Sequence, residues 1–404
     1  LSWICSAVIV FIFSNLFLRF EETFKKNKEY QICNRCVMDT SDKKITFNLY
    51  GICDYCQNFD KKISKYFSEK NYNSGKLQKI SGIIKSSKKK NQKYDCLIGI
   101  SGGVDSCYLA HIVKKVLKLN PLVLHVDTGW NSKEAVNNIE KIIDKLDLDL
   151  HTDVINWREM RDLQISFFKA QLPNLDIPQD HAIFGSIYNF AIKNNFKYIL
   201  TGGNFSTECI REPLEWAYHA SDLKHIKDVH KKFGKENLKT FPFSDIFKYK
   251  LYYRFFKGLK TIQPLNFVNY NKNQAINILE KEYGWTNYGH KHYESRFTKF
   301  FEGYWLKKKF GYDKRRAHFS SLILTNQMKR KDALDELKSN AYDENTINNE
   351  INYICSKLNI TLNELNTLME GKNKTFKDYK SANRLIKFFV KICQILNLEN
   401  RLIR

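Results

Sequence analysis

The feature that most constrains the fold of this chain is a short glycine-containing segment between an apolar run and a helical run. The apolar run covers residues 96–100, the segment SGGVDS covers 101–106, and a helical pattern follows at 108–119. Two glycines let backbone N–H groups approach an oxyanion, and a helix start adds unpaired N–H groups and the positive end of its dipole. The pattern predicts a strand, a phosphate-binding turn and a helix.

SGGVDS differs from the Walker pattern because it lacks the lysine that reaches the β- and γ-phosphates. It resembles the PP-loop of the ATP pyrophosphatases, which grip pyrophosphate and leave the α-phosphate open to attack. The alternative is an ordinary strand-to-helix turn capped by Ser101 or Asp105. If the resemblance holds, Ser101 and Asp105 act in catalysis and the whole loop binds ATP.

Strands and helices alternate downstream of this loop, as is typical of an α/β protein with a parallel sheet. Strand patterns lie at 121–127, 149–155 and 197–200, and helix patterns at 132–146, 157–171 and 182–195. Ligands of such sheets bind at the carboxyl ends of the strands. Three of these ends carry small or polar residues, at 101–106, 127–130 and 201–208. We expect them to meet over one nucleotide.

Individual polar residues at these ends have candidate roles. Asp127 and Gly129 are expected to flank the adenosine, and Glu208 to hold Mg²⁺ or position the substrate. A loop carboxylate that is merely solvated or capping is the alternative. A proline-bracketed loop at 173–181 fits substrate contact and a rigid connection equally well. The residues expected to bind the nucleotide are Ser101, Gly102, Gly103, Val104, Asp105, Ser106, Asp127, Gly129, Thr201 and Gly202.

Four of the ten cysteines form two CxxC pairs separated by sixteen residues. Each pair curls so that two thiolates point at one centre, and two pairs complete a closed tetrahedral S₄ site. The pattern predicts a zinc ribbon that contributes stability rather than catalysis, with a redox or iron–sulfur role as the alternative. The ligands would be Cys33, Cys36, Cys53 and Cys56.

Two later stretches, at 289–300 and 310–318, combine basic, acidic and aromatic residues. Lys291 and Arg315 are candidate clamps for pyrophosphate or a sugar phosphate, and Glu294 is a candidate Mg²⁺ ligand. A solvated basic helix face would explain either stretch alone. Both together, downstream of a phosphate loop without its own lysine, favour a catalytic role.

The first eighteen residues carry no charge and are about long enough to cross a bilayer as a helix. A secretory signal would need a charged start and a small-residue cleavage site. The segment lacks both, which leaves two interpretations. It is either a genuine membrane anchor or an extension that does not belong to the functional protein, and we favour the extension. In either case we expect a cytoplasmic, reducing location, with membrane association if residues 1–18 are genuine.

The net charge of +23 raises the question of a nucleic-acid partner. Lysine and asparagine are spread along the whole chain rather than gathered on one element. Such enrichment is also expected from nucleotide bias in a genome, and a phosphorylated small substrate suits a basic cleft equally well. Nucleic acid is therefore not the expected partner.

The sequence divides into seven parts. We expect an apolar leader at 1–29, a zinc ribbon at 30–60, a helical basic linker at 61–93, a nucleotide-binding domain at 94–214, a helical insertion at 215–262, a helical substrate and phosphate region at 263–340, and a helical tail at 341–404. The predicted fold class is α/β, a parallel-sheet PP-loop domain of the adenine nucleotide alpha hydrolase type with an N-terminal zinc ribbon and a helical C-terminal region.

Taken jointly, several motifs make this chain resemble the bacterial N-acetyl sugar amidotransferases of surface-polysaccharide and nonulosonic-acid pathways. The matching pieces are CNRCVMDTSD (33–42), GICDYC (51–56), SGGVDS (101–106), HVDTGW (125–130), QDHAIF (179–184), TGGN (201–204), HYESRFTKFF (292–301) and FGYDKRRAHFSSLI (310–323).

The resemblance implies that ATP and Mg²⁺ are used to convert an acetamido group of a free or nucleotide-linked sugar into an acetamidino group. An adenylylated imidate would form, and AMP and pyrophosphate would be released, in lipopolysaccharide O-antigen or pseudaminic and legionaminic acid biosynthesis. It also implies a separate glutaminase subunit and a cyclase-like subunit that conducts ammonia, for which the aromatic and basic segment 215–260 is a candidate docking surface.

The main alternative is a tRNA-thiolating PP-loop enzyme. Enzymes of that kind usually need further cysteines in the catalytic core, whereas Cys107 and Cys209 are isolated here. A third interpretation, a non-catalytic zinc-ribbon binding module, leaves SGGVDS and TGGN unexplained.

Overall fold

The computed structural model describes residues 29–72, 75–89, 91–245, 247–289, 291–396, 399 and 401–402. The predicted leader, apart from its last residue, lies outside this set. Among the residues described, no helix is both long and apolar enough to cross a bilayer.

The centre of the molecule is a five-stranded parallel sheet. Its strands are β1 (Cys96–Gly99), β2 (Pro121–Asp127), β3 (Asp149–Val154), β4 (Tyr198–Leu200) and β5 (Lys260–Ile262), in the order β3-β2-β1-β4-β5. In the middle of the sheet Ile98 of β1 pairs with Val123 of β2 and Leu200 of β4. The predicted α/β fold with a parallel sheet is confirmed. The fifth strand was not predicted, because Lys260–Ile262 is mostly exposed and lacks the buried apolar run that marks the equally short β4.

Helices surround the sheet and continue to the C-terminus. They are α1 (Asp54–Asn58), α2 (Glu69–Tyr72), α3 (Lys76–Ser86), α4 (Val104–His111), α5 (Lys133–Leu146), α6 (Trp157–Lys169), α7 (Ile177–Lys193), α8 (Phe205–Glu208), α9 (Leu223–Phe233), α10 (Lys272–Tyr283), α11 (Arg296–Phe300), α12 (Leu306–Phe310), α13 (Arg315–Leu324), α14 (Arg330–Lys338), α15 (Ile347–Leu358), α16 (Leu362–Glu370) and α17 (Asn383–Ile395). Wider π-helical turns lie at Phe59–Ile63, Ile112–Val116, Lys248–Phe256 and Phe301–Trp305, and 3₁₀ turns at Ser64–Phe67, Pro264–Phe267 and Phe376–Asp378.

Local chemistry explains where several of these helices begin and end. Ser132 caps α5 by accepting a hydrogen bond from the Ala135 amide (3.1 Å), and Asn204 caps the short α8 in the same way. Helix α10 ends at Gly284, whose φ of +69° is the left-handed conformation that favours glycine. The start of α5 matches the helix predicted at 132–146.

Two apolar cores lie on the two faces of the sheet, because side chains alternate along each strand. Leu97 of β1 packs in a core with α6, α7 and the aromatic residues of α11. Ile98 packs in the opposite core with α4, α5 and α10. The C-terminal half of the chain contributes to both cores, so it wraps around the sheet.

Two predicted boundaries differ from the structure. The proline-bracketed loop predicted at 173–181 contains the start of α7, with Pro178 in the first helical turn, where a missing N–H costs nothing. The helical insertion predicted at 215–262 contains α9 but ends in β5, which pairs with β4.

Candidate functional site

The loop after β1 forms a phosphate-sized cradle at the carboxyl edge of the sheet. Gly102 has a φ of +84°, and a Cβ there would lie 2.4 Å from the carbonyl oxygen of Ala135, so only glycine fits. Gly103 has an extended backbone conformation, and α4 begins at the next residue, Val104. The first N–H groups of α4 are directed toward the cradle. The Ser106 hydroxyl accepts from the Ser101 amide (3.2 Å) and fixes the curvature of the loop.

A segment from the C-terminal half closes over this cradle. The Trp285 indole donates to the Gly102 carbonyl (2.9 Å), and the Tyr270 hydroxyl donates to the Asp105 carboxylate. The Tyr288 hydroxyl donates to Glu294 Oε2 (3.2 Å). Tyr270, Trp285 and Tyr288 were not predicted as site residues, because nothing in their local sequence connects them to a loop more than 160 residues away.

Glu294 lies directly across the cradle. Its Oε1 accepts from the Ser101 hydroxyl (3.3 Å), and a Cβ on Gly103 would lie 3.1 Å from the same oxygen. A carboxylate facing a pyrophosphate pocket repels the ligand unless a cation lies between them. The residues therefore fit Mg²⁺, which prefers carboxylate and phosphate oxygens, with Glu294 as the protein ligand.

Lys291 links the cradle to the loop after β4. Its Nζ lies 2.6 Å from Glu208 Oε1, 3.8 Å from Asp105 Oδ2 and 3.4 Å from Thr207 Oγ1. Burial alone raises the pKa of Glu208, but the Lys291 ammonium outweighs it and lowers the pKa to about 2. Burial opposes the charge of Lys291, yet Glu208 and Asp105 keep its pKa above the usual value. Both groups are charged at neutral pH.

Lys272, the first residue of α10, is a functional candidate that the sequence analysis missed. It is half-buried beside the cradle, and its backbone N–H is held by Gln327 Oε1 (2.7 Å). Within the described part of the chain its ammonium has no hydrogen-bond or ion-pair partner. Burial lowers the pKa of Lys272, against the opposing effect of Asp105. The only sequence signal was a lysine that follows an Asn cap, which is common on helix surfaces.

Two cavities meet at these charged residues. The smaller has a volume of about 220 Å³ and contains the cradle, and the larger has a volume of about 820 Å³. Gly203, Glu208, Lys272 and Lys291 line both. The two cavities therefore adjoin at these residues, and the larger one has room for a second molecule beside the cradle.

The larger cavity holds a buried charge cluster around Lys314. The Lys314 ammonium lies 2.5 Å from Glu302 and 3.6 Å from Glu212, and these carboxylates keep its pKa above the usual value despite burial. Asp180 faces the same cavity, and burial raises its pKa to about 6. A carboxyl with that pKa can exchange a proton near neutral pH.

The structure does not bring every predicted residue to the cradle. Ser101, Gly103, Val104, Asp105, Ser106, Gly202, Glu208, Lys291 and Glu294 line the smaller cavity, and Thr201 lines the larger one. Arg315 also lines the larger cavity, but its guanidinium is bidentate on Asp313 (2.7 and 3.0 Å) and donates to two backbone carbonyls. That arrangement positions α13 rather than presenting free donors.

Asp127 and Gly129 line neither cavity. The Asp127 carboxylate accepts from the Gly129 amide (2.8 Å) and the Asn131 side chain (3.0 Å), and Gly129, with φ +85°, packs under Trp157. Asn131 bridges to Ser295, and the Ser132 amide donates to the Glu294 carbonyl (2.8 Å). This turn therefore positions the backbone of Glu294 beside the cradle.

The four predicted zinc ligands form a buried cluster. Their Sγ atoms all lie within 4.8 Å of one another, with neighbouring pairs at 3.6 to 3.8 Å. A tetrahedron of Zn–S bonds of about 2.3 Å has S···S edges of about 3.8 Å, so the cluster fits zinc. Backbone N–H groups of Arg35 and Cys53 donate to Cys33 Sγ, as expected for thiolates. Gly51 has a φ of +69° and lies against Asn34, which closes the ribbon.

The ribbon packs against α13 and α14 rather than standing apart. Arg330 donates to the carbonyls of Cys33 (2.8 Å) and Cys36 (3.0 Å), and Arg316 donates to the Val37 carbonyl (2.8 Å). On its other side α13 carries His318, whose Nδ1 donates to the Thr207 carbonyl (3.2 Å). One helix therefore connects the ribbon to the loop that holds Glu208.

Two family models match separate parts of the chain. Residues 76–244 match the NAD synthase model, and residues 294–393 match the C-terminal domain of WbpG-like LPS biosynthesis proteins. The first match covers β1 to β4 and the SGGVDS loop but ends before β5, and the second begins at Glu294 and includes most of α17. Together they support the predicted PP-loop superfamily and the predicted link to lipopolysaccharide biosynthesis.

Known proteins and solved structures show more distant similarity. An uncharacterized protein of Methanocaldococcus jannaschii is 30% identical over 190 residues, which is 45% of this chain and 63% of that protein. The NMN synthetase of Francisella tularensis is 16% identical with a TM-score of 0.32, over 73% of this chain and 98% of that one. The U34-tRNA thiolase NcsA of Methanococcus maripaludis is 12% identical with a TM-score of 0.29, over 75% of this chain and 82% of that one.

Proposed function

We propose that this protein is an ATP-dependent amidotransferase that converts the acetamido group of an N-acetyl sugar into an acetamidino group. The observation that carries the proposal is the junction of the two cavities at Glu208, Lys272 and Lys291. It leaves an α-phosphate in the cradle open to a nucleophile in a chamber large enough for a sugar. The WbpG-like match over 294–393 supports a sugar of lipopolysaccharide biosynthesis.

In the first step the amide oxygen of the sugar attacks the α-phosphorus of ATP. The bond from that phosphorus to the β-phosphate bridging oxygen breaks, pyrophosphate leaves, and an O-adenylyl imidate forms. The N–H groups of the cradle and the Ser101 and Ser106 hydroxyls bind the departing pyrophosphate. Bound Mg²⁺ would neutralise phosphate charge beside Glu294. Lys272 supplies a positive charge at the α-phosphate.

In the second step ammonia adds to the imidate carbon, and the C–O bond to AMP breaks. The product is the amidine. The nitrogen that ammonia supplies must lose one proton once it is bonded to the carbon, and a nearby base has to accept that proton. Asp180 suits that role because it faces the larger cavity with a pKa of about 6. No covalent bond to the protein forms in either step.

Ammonia is proposed to come from a separate glutaminase subunit through a cyclase-like subunit. The α9 part of the insertion is the proposed docking surface. Lys224, Lys227 and Lys231 recur on one side of α9 and line a groove, so they fit an acidic partner. Substituting the three lysines with glutamate should lower glutamine-dependent turnover and spare ammonia-dependent turnover. Equal loss of both activities would contradict this docking site.

The experiment that tests the proposed reaction measures AMP and pyrophosphate release with ammonium salt and a panel of free and nucleotide-linked N-acetyl sugars, with bulk tRNA as the competing substrate. We expect release with one sugar, and a product lighter by the difference between O and NH in mass spectrometry. The Asp105→Ala and Ser101→Ala variants should lose AMP formation. Release with tRNA alone would overturn the proposal.

The competing reaction, thiolation of tRNA, would require a reactive thiol near the α-phosphate. Burial raises the pKa of Cys107, and it raises the pKa of Cys209 to about 12. Neither cysteine lines either cavity. Cys393 does line the larger cavity, from α17, but no second cysteine of the described residues lines either cavity. A site without a pair of cysteines favours the amidotransferase.

A further inference from the structure

Two neighbouring elements expose large apolar side chains to solvent. They are the π-helical turn Lys248–Phe256 and helix α17, near the C-terminus. The side chains are 45% to 79% exposed, which is unusual for aromatic and aliphatic residues that recur together. We call them the apolar patch: Tyr252, Phe255, Phe256, Leu385, Phe388, Ile395 and Leu396.

The two elements lie against each other. The rings of Phe247 and Phe389 are in edge-to-face contact, with centroids 5.1 Å apart. Phe247 and Leu385 also line one groove of about 540 Å³. The patch is therefore formed jointly by segments that are more than 120 residues apart in the chain.

The two segments that carry the patch contain basic residues and no acidic residue. Residues 247–257 contain four lysines or arginines and no acid, and residues 383–395 contain three and no acid. Lys387 also lies near Lys44 and Lys377, whose charges lower its pKa together with burial.

The acidic residues of the adjoining groove are already bonded. Asp222 accepts from the Ala382 amide (2.8 Å), Asp228 pairs with Lys232 (2.9 Å), and Asp245 accepts from the Lys248 amide (2.8 Å). The groove is lined by four lysines and three aspartates, so its net charge is positive.

We propose that the apolar patch docks this protein on an anionic lipid bilayer. Exposed phenylalanine and leucine among lysine and arginine suit the boundary between headgroups and acyl chains. The core of a protein interface is depleted of lysine, whereas the patch has basic residues among its apolar side chains. The lysines of α9 proposed above to bind an acidic subunit lie beside the patch and are not part of it. The docking is peripheral contact along α17 and the turn.

The position of α17 gives this docking a consequence for the site. Ile386, Phe389, Val390 and Cys393 of α17 line the larger cavity, whereas Leu385 and Phe388 face outward. One helix therefore forms the wall of the substrate chamber and the bilayer-facing surface. Docking would place the chamber next to the membrane.

The first test is sedimentation of the full chain with phosphatidylcholine vesicles containing about one third phosphatidylglycerol. The variant Phe255→Ser/Phe388→Ser should bind at least about tenfold more weakly than the parent. The matched control Val116→Ser/Val154→Ser removes two exposed apolar side chains outside the patch and should bind like the parent. Equal binding by both double variants would overturn the proposal.

A second measurement locates the contact whatever else in the chain touches lipid. Hydrogen–deuterium exchange with the anionic vesicles should slow in 247–257 and 383–395 and leave α14 unchanged. Two outcomes would contradict docking on an anionic bilayer. Exchange slows to the same extent with pure phosphatidylcholine vesicles, or it slows in neither segment. Concentration-dependent dimerisation that the Phe255→Ser/Phe388→Ser variant abolishes would assign the patch to a second copy instead.

Discussion

At the scale of single residues, the two lysines at the junction of the cavities differ in how their charge is used. Lys291 is compensated by Glu208 at 2.6 Å and Asp105 at 3.8 Å, so its main effect is to hold the loop after β4 against the cradle. Lys272 has no such partner within the described part of the chain. Because the Lys272 ammonium is not already paired, it is free to stabilise the negative charge that develops at the α-phosphate in the proposed transition state.

Replacing Lys272 with glutamine should therefore lower the rate constant for AMP formation by about 100-fold, since one preorganised donor to developing charge contributes on that scale. The apparent affinity for ATP should change much less. Steady-state release of AMP and pyrophosphate measures both. Lys281→Gln, an exposed lysine on the same helix, should behave like the parent. A Lys272→Gln variant with normal turnover would remove this residue from the mechanism.

Asp180 predicts a dependence of stability on pH. Its folded pKa of about 6 lies above the ordinary value of 3.8, so between these values the native state binds more protons than the unfolded chain. The free energy of unfolding should then fall as pH rises from about 4 to about 6. Its coupling to Asp176, whose pKa burial also raises, extends the effect.

Denaturant unfolding at a series of pH values checks this prediction. Asp180→Asn should flatten the fall in the free energy of unfolding between about pH 4 and 6. Asp335→Asn, which changes an exposed carboxyl on α14, is the matched control and should keep it. A parent protein that becomes more stable across this interval would contradict the assigned direction.

At the scale of elements, α13 connects the four-cysteine ribbon to the loop that carries Glu208. Its Arg316 side chain binds Val37 in the ribbon, and its His318 ring binds the carbonyl of Thr207. Burial lowers the pKa of His318 well below the usual value, so the ring stays neutral and keeps Nδ1 as the donor. Loss of the ribbon should therefore be felt at the loop that carries Glu208.

Cys33→Ser tests this connection. The variant should lose its bound zinc and more than about 3 kcal/mol of stability, because the metal cross-links the ribbon. AMP formation should fall as well. Elemental analysis and thermal unfolding measure the first two effects. Cys393→Ser, a half-buried cysteine outside the ribbon, should retain zinc and stability. Full AMP formation by a zinc-free variant would separate the ribbon from the site.

The elements that sequence could predict are those with local signals. A few adjacent residues determine the local structure of each of them: the SGGVDS turn, the Ser132 cap, the Gly284 stop and the two CxxC pairs. The closure of the cradle by Tyr270, Lys272 and Trp285 could not be predicted, since tertiary packing alone brings them there. Asp127 follows a strand, as a residue that contacts a nucleotide would, but its carboxylate accepts a hydrogen bond from the Gly129 amide and stabilises the turn there.

At the scale of the whole molecule, the C-terminal helices complete a chamber that the sheet only begins. The sequence predicts a helical tail at 341–404 and no functional residue within it. Helix α17 instead lies in the wall of the larger cavity, together with residues of α7 and α13. The chamber is therefore lined by segments spread between Asn174 and Arg401.

Val390→Trp should fill part of this chamber from the α17 side. Val390 is half-buried and lines the larger cavity, so a larger side chain there should occupy part of it and weaken binding of the proposed sugar at least about tenfold. ATP binding in the smaller cavity should persist, because Val390 does not line it. Calorimetric titration with each ligand separates the two. Lys391→Trp places the same side chain on the exposed side and should spare both. Loss of both ligands in Val390→Trp alone would show that the two cavities are not independent.

The arginine clamp on the ribbon has a consequence for how the chain is made. Arg330 holds the carbonyls of Cys33 and Cys36 across a separation of 297 and 294 residues. At a synthesis rate of about 5 to 20 residues per second, the cysteines leave the ribosome roughly 15 to 60 s before their clamp. The four cysteines are thus accessible to a metal ion before the residue that later covers their backbone has been synthesised.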